Sequence, residues 1–174
     1  MRDLSDVYAW IDAHADESIA NLQTLLRQPS VAAQGVGMAE TATLVEAMLD
    51  GIGADVRQVD VPGGYPVVYA ELPGATAKTL SFYNHYDVQP AEPLDLWDSD
   101  PWAGEIRDGR IWARGVADNK GNIAARIAAI TAWRAVKGEL PLRLKFIIEG
   151  EEEIGSPHLV HFADAHADLI AADG

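Results

Sequence analysis

Apolar residues recur at helical spacing from about Leu4 to Arg27, at Val7, Trp10, Ile11, Ile19, Leu22, Leu25 and Leu26. That period predicts one long helix, closed by Pro29. A second helix is predicted from Met38 to Ile52, with Leu44, Val45, Met48 and Leu49 on one face and Gly53 as its stop. The pattern then changes to short strands. "ADVRQVDV" alternates, "PGG" turns, "YPVVYAEL" closes at Pro73-Gly74, and "KTLSFYNHYDV" follows. A polar loop from Gln89 to Gly104, rich in Pro, Asp and Trp, is too long for an idle connection. "GEIRDGRIWAR" reads as a hairpin around Asp108-Gly109. Asn119 to Lys137 is predicted helical, with Ile123, Ile127, Ile130 and Trp133 facing inward. "PLRLKFIIE" is a buried strand, Ser156-Pro157 opens a short helix, and "ADLIAAD" begins one more strand. Strands alternate with helices, so the expected fold class is α/β, an open mixed sheet with helices on both faces.

Composition narrows the function classes. The 174 residues carry 27 acidic against 13 basic side chains, for a net charge of −14. Such a balance argues against nucleic acid and anionic membrane surfaces as partners, and it offers carboxylates to cations. Cysteine is absent, which excludes thiolate metal sites, disulfides and cysteine nucleophiles. The opening "MRDLSDVYAW" has no charged-then-apolar signal pattern, and no apolar run is long enough to span a bilayer. A cytoplasmic protein is the expectation.

Four stretches carry candidate chemistry. In "NHYDV", residues two apart on a strand point the same way, so His85 and Asp87 lie together. A metal-binding histidine gives its other ring N–H to a carboxylate; a core histidine bonded to its neighbour would look the same. In "ARGVADNKGN", Asp118 precedes a long helix as a candidate ligand or a simple cap. The run "EGEEEIG" sets Glu149, Glu151, Glu152 and Glu153 at the end of an apolar strand. Adjacent carboxylates repel, so the cluster needs a cation unless it is a solvated turn. Asp173 ends the last predicted strand, where open sheets place functional groups. His158 and His161 sit three apart on a predicted helix, a spacing that suits a metal pair, but they read as ordinary helix residues.

Taken in order, "HYDVQP", "GRIWARGVADNKG" and "EGEEEIGSPHL" resemble the aminoacylase, glutamate-carboxypeptidase and carnosinase-type family of co-catalytic zinc metallopeptidases, in particular its dipeptidase branch. The resemblance runs from about Leu4 to the last residue. It implies that His85 binds one metal, that Asp87 orients His85, and that Asp118 bridges two metals with a cis peptide to Asn119. It further implies Glu152 as general base, Glu153 as ligand of the second metal, and Asp173 as the remaining ligand of the His85 metal. Two zinc ions are the implied cofactors, with manganese or cobalt as alternatives. The implied reaction is hydrolysis of a dipeptide-type peptide bond by a water held between cations about 3.5–4 Å apart. N-acyl amino acid deacylation and a non-catalytic metal-binding role are the alternative readings.

The same resemblance implies that residues 1–174 form the N-terminal part of a catalytic domain. The second metal's histidine, the lid domain and the dimer contact it supplies would lie elsewhere. On that reading the chain binds one metal, through His85, Asp118 and Asp173, better than two, and has little peptidase activity of its own.

Overall fold

The computed structural model describes residues 3–174. Its chain order is α1 (Ser5–Ala13), α2 (Ala15–Arg27), α3 (Met38–Gly51), β1 (Asp55–Val59), β2 (Val67–Leu72) and β3 (Thr79–His85). The hairpin β4 (Glu105–Arg107) and β5 (Arg110–Trp112) follows, then α4 (Lys120–Lys137), β6 (Arg143–Glu149), α5 (Leu159–Ala165) and α6 (Ala167–Ile170). Four strands form one mixed sheet in the order β1-β2-β6-β3, antiparallel except for the parallel pair β3 and β6. A parallel pair needs a long crossover. Here the hairpin and α4 supply it.

Strand alternation sorts the core into two layers. Val68, Ala70 and Leu72 of β2 and Leu144, Phe146 and Ile148 of β6 face α3 and α4, meeting Val45, Leu49, Ile123, Ile127 and Ile130. Val67, Tyr69 and Ile147 face the other way and pack on Phe162 of α5, with Leu169 and Ile170 of α6 beside them. Each Val, Leu, Ile or Phe side chain among them contributes about 1.5–3 kcal/mol on burial. Helices therefore cover both faces, as the pattern predicts, and no helix among the described residues is long and apolar enough to cross a membrane.

Three expectations are corrected. The first helix breaks at His14, whose main-chain N–H donates to the carbonyls of Trp10 and Ile11. Its ring nitrogen Nδ1 lies 2.8 Å from the same Trp10 carbonyl while the ring stacks on Trp10. The turn closes there and α2 starts afresh. Ser156 does not cap a helix: it sits at φ 49°, its hydroxyl donates to Glu149, and α5 begins three residues later at Leu159. The third concerns "ADLIAAD", where residues 167–170 form the helix α6 instead of a strand. Lys145, on the sheet face beneath, donates from Nζ to the carbonyls of Asp168, Leu169 and Ala171 at 2.8–3.1 Å. Those acceptors belong to the end of α6, where a cation is favoured. Only the last two residues reach the sheet: Asp173 donates to Thr79 and Ser81 donates to Gly174, beside the start of β3.

Candidate metal centre

His85 is the last residue of β3, and its parallel register partner Glu149 is the last residue of β6. The loops leaving both strands thus emerge at the same end of the sheet, where open α/β sheets bind ligands. From the first loop comes Asp87, which is fully buried. Its Oδ1 lies 3.3 Å from His85 Nδ1 and accepts the main-chain N–H of Glu152 at 3.2 Å. Its Oδ2 accepts the N–H of Glu153 at 3.0 Å. Asp87 therefore fixes the imidazole, through its main-chain carbonyl at 3.1 Å as well as its carboxylate, and the same carboxylate holds the acidic turn.

The other ring nitrogen faces outward. His85 Nε2 lies 2.9 Å from Asp118 Oδ1 and 3.8 Å from Glu152 Oε2. Asp118 does not cap α4, whose first turn has no side-chain cap. It is aimed instead by its neighbours. The peptide from Asp118 to Asn119 is cis. Asn119 accepts from the Asn84 amide, and Arg126 donates to Asn84 in turn. Lys120, wholly buried, donates to the carbonyls of Leu25 and Gln28 and ties the start of α4 to the end of α2. Burial pulls its ammonium down to about 7, against the charge of Asp87.

The glutamates of the acidic run separate cleanly. Glu151 turns inward and both its oxygens lie 2.9–3.1 Å from His158 Nδ1. Glu149 is buried and accepts from Tyr83 and Ser156. Burial pushes its carboxyl above the ordinary range, although those two donors oppose the shift. Glu152 and Glu153 face His85. Ligating atoms of His85, Glu152 and Glu153 all lie within 4.8 Å of one another, a group that could hold a cation. Glu153 is held by Gln89, which donates to its carbonyl at 3.1 Å and to Oε2 at 2.8 Å.

Asp173 stands apart from this cluster. Its Oδ2 accepts the N–H of Thr79 at 2.8 Å, at the first residue of β3, whereas His85 is the last. The seven residues of β3 separate the two, roughly 20 Å at the usual rise of a strand. The expectation that Asp173 joins His85 and Asp118 on one metal therefore fails on geometry. Its cause is the helix α6, which uses up the length that a strand from residue 168 would have carried toward His85. His158 is committed to Glu151, and His161 lies behind it with ring centroids 6.3 Å apart. A cavity of about 580 Å³ opens at the opposite end of the sheet, lined by Ala75, Thr76, Trp133 and Pro141, and has no part in the cluster.

Neither Gln89 nor the Asn84–Asn119–Arg126 chain is visible as a site in the sequence reading. Their only signal is adjacency, Asn84 and Gln89 flanking the "HYDV" stretch and Asn119 following Asp118.

Both ring nitrogens of His85 face oxygen acceptors, so the cation-free imidazole holds both protons. Burial alone would pull it down. Bonding and charge from Asp87, with Glu152 and Asp118, outweigh that and push it up to about 9. The ordinary value in an unfolded chain is about 6.5. A group raised on folding adds stability that is complete below about 6.5 and lost as pH rises through about 9. Lys120, held near 7 when folded, acts oppositely above that pH, so the His85 contribution is read as a difference between variants. In a chelator, the melting temperature of wild type relative to His85→Gln should fall as pH rises from about 6.5 to about 9; parallel pH profiles for the two would assign no such contribution to His85.

A family model, Peptidase family M20/M25/M40, matches residues 81–173. That stretch contains all the residues gathered at His85. The chain is 36% identical over 181 residues to the Beta-Ala-His dipeptidase of Homo sapiens, covering 95% of this chain and 36% of that protein. It is 32% identical over 185 residues to the Cys-Gly metallodipeptidase dug1 of Schizosaccharomyces pombe, covering 97% and 38% respectively. Among solved structures, the M20 family metallo-carboxypeptidase Sso-CP2 from Sulfolobus solfataricus superposes with a TM-score of 0.86 at 39% identity, over 90% of this chain and 36% of that one. The chain spans little more than a third of the length of these relatives.

Proposed function

The chain belongs to peptidase family M20/M25/M40, and from that premise we propose that it carries the cation-binding and proton-transfer groups of a dipeptidase-type hydrolase. The observation that supports this best is the convergence of His85, Asp118, Glu152 and Glu153 at one end of the sheet, braced from below by Asp87. One imidazole with several carboxylate oxygens suits zinc, and manganese or cobalt as well. A divalent cation bound there would act as a Lewis acid and bring the pKa of a water toward neutrality.

The chain's own residues take distinct parts. His85 offers Nε2 to the cation while Asp87 keeps the remaining proton on Nδ1. Asp118, beside Nε2, and Glu153, pinned at three atoms, serve as carboxylate ligands. Glu152 differs from Glu153 in that only its main chain is held, leaving a half-exposed side chain free to swing. That freedom suits a general base, which must take a proton from water and hand it to the leaving amine nitrogen. Glu151 cannot do this, because His158 occupies its carboxylate.

Dipeptides are the proposed substrates, following the printed activities of the Beta-Ala-His and Cys-Gly relatives. The test has two parts. Calorimetric titration of this chain with zinc should give binding that is lost in His85→Gln. Affinity should rise about tenfold per pH unit below about 9, because the cation must displace the Nε2 proton. A panel of dipeptides and N-acyl amino acids, assayed with this chain and with any longer product of its gene, addresses the reaction. Equal zinc affinity in His85→Gln would overturn the centre, and turnover of N-acyl amino acids without dipeptides would overturn the substrate class.

A further inference from the structure

Two adjacent glutamates, Glu152 and Glu153, present the same chemistry to one cation, yet the fold treats them differently. Glu153 is gripped at three points: its N–H by Asp87, its carbonyl by Gln89, and its Oε2 by Gln89. Both amide protons of Gln89 Nε2 are spent on this one residue. Glu152 receives no such hold on its side chain, whose Oε2 stands 3.8 Å from His85 Nε2. Gln89 itself is exposed and lies four residues beyond His85, on the loop that leaves β3.

We propose that Gln89 is a positioning residue that makes Glu153 a one-oxygen ligand and thereby tunes the centre toward zinc over larger cations. This rests on the reading of Glu153 as a cation ligand. With one lone pair of Oε2 held by the amide, the plane of the carboxylate is fixed and chelation through both oxygens is disfavoured. One donor per carboxylate suits the four-coordinate preference of zinc. Freed from Gln89, the carboxylate can turn and chelate through both oxygens, adding a donor that suits six-coordinate manganese. The rotamer freedom that returns to Glu153 also weakens binding of either cation.

The test titrates zinc and manganese separately into wild type, Gln89→Ala and Gln89→Met by calorimetry. Methionine keeps the side-chain length without an N–H donor. Zinc affinity should fall about tenfold in both variants, the lower end of what partners of metal ligands contribute. Manganese affinity should fall less, so the zinc-to-manganese preference narrows severalfold while the melting temperature of the cation-free chain stays put. A purely structural role would lower the melting temperature and weaken both cations alike, and that result would overturn the proposal. Wild-type preference retained in both variants would overturn it too, leaving the centre itself intact. Absence of zinc binding by the wild type would instead remove the metal centre, and this proposal with it.

Discussion

Asp87→Ala is expected to destabilise the cation-free chain by about 3–5 kcal/mol, the range for removing one partner of a buried ionic contact. Two main-chain donors, Glu152 N and Glu153 N, converge on the two oxygens of this buried carboxylate, and His85 Nδ1 lies 3.3 Å from Oδ1 while also 3.1 Å from the main-chain carbonyl of Asp87. Alanine leaves the two amides without their acceptor and weakens the hold on a buried imidazolium. At roughly 2–4 °C per kcal/mol for a domain of this size, the melting temperature should fall by about 10 °C. Asp87→Asn separates charge from hydrogen bonding. Its amide nitrogen is best placed at the Oδ2 position, where it meets one donor, Glu153 N, instead of the two that surround Oδ1. The asparagine variant should therefore keep the hold on His85 and release Glu153, with a smaller loss of stability than alanine. Zinc affinity should drop in both, and further in Asp87→Ala. A melting temperature within two or three degrees of wild type for Asp87→Ala would show that water replaces the carboxylate at little cost.

That one buried residue organises the site explains why much of it is legible in the sequence. His85 and Asp87 are two apart, and both lie in a short stretch whose strand period already orients them. Asp118 and the acidic run are distant in sequence, but each stands where a strand ends or a helix begins, and those ends meet in any sheet of this class. The buried strands β2 and β6 read correctly for the same reason, as apolar runs too short for helices.

Failures have a common physical cause, which is a partner far away in sequence. Residues 167–170 are a short apolar run that periodicity cannot assign to strand or helix. Lys145, about twenty residues earlier, decides the matter by donating to the carbonyls at the end of α6. Asp173 then lands at Thr79 and not at His85, so the error in its role follows from the error in its element. Ser156 looks like a cap because Pro157 follows it, yet Glu149 claims its hydroxyl from seven residues back. His14 interrupts a helix whose apolar period runs straight through it, because its ring competes for the Trp10 carbonyl. Gln89 carries no motif value at all, and only the fold brings Glu153 to it.

Glu152→Gln is expected to separate binding from chemistry. Glutamine keeps the volume and an oxygen facing His85 but cannot accept a proton at neutral pH. Zinc affinity should stay within about tenfold of wild type, because the grip on Glu153 and the His85–Asp118 contact are untouched. Dipeptide hydrolysis, in whichever product of the gene turns it over, should fall by roughly two or more orders of magnitude, the usual scale for loss of a general base. Glu151→Gln is the informative partner. Its carboxylate is buried against His158, so the change should cost stability, with hydrolysis altered by no more than a few-fold. The two variants thus exchange signatures: one melts like wild type and does not turn over, the other melts early and does. Should Glu151→Gln instead abolish turnover at wild-type stability, the base would be the inward glutamate. The side chain seen against His158 would then have to swing out during the reaction, and the roles assigned along the acidic turn would shift by one residue.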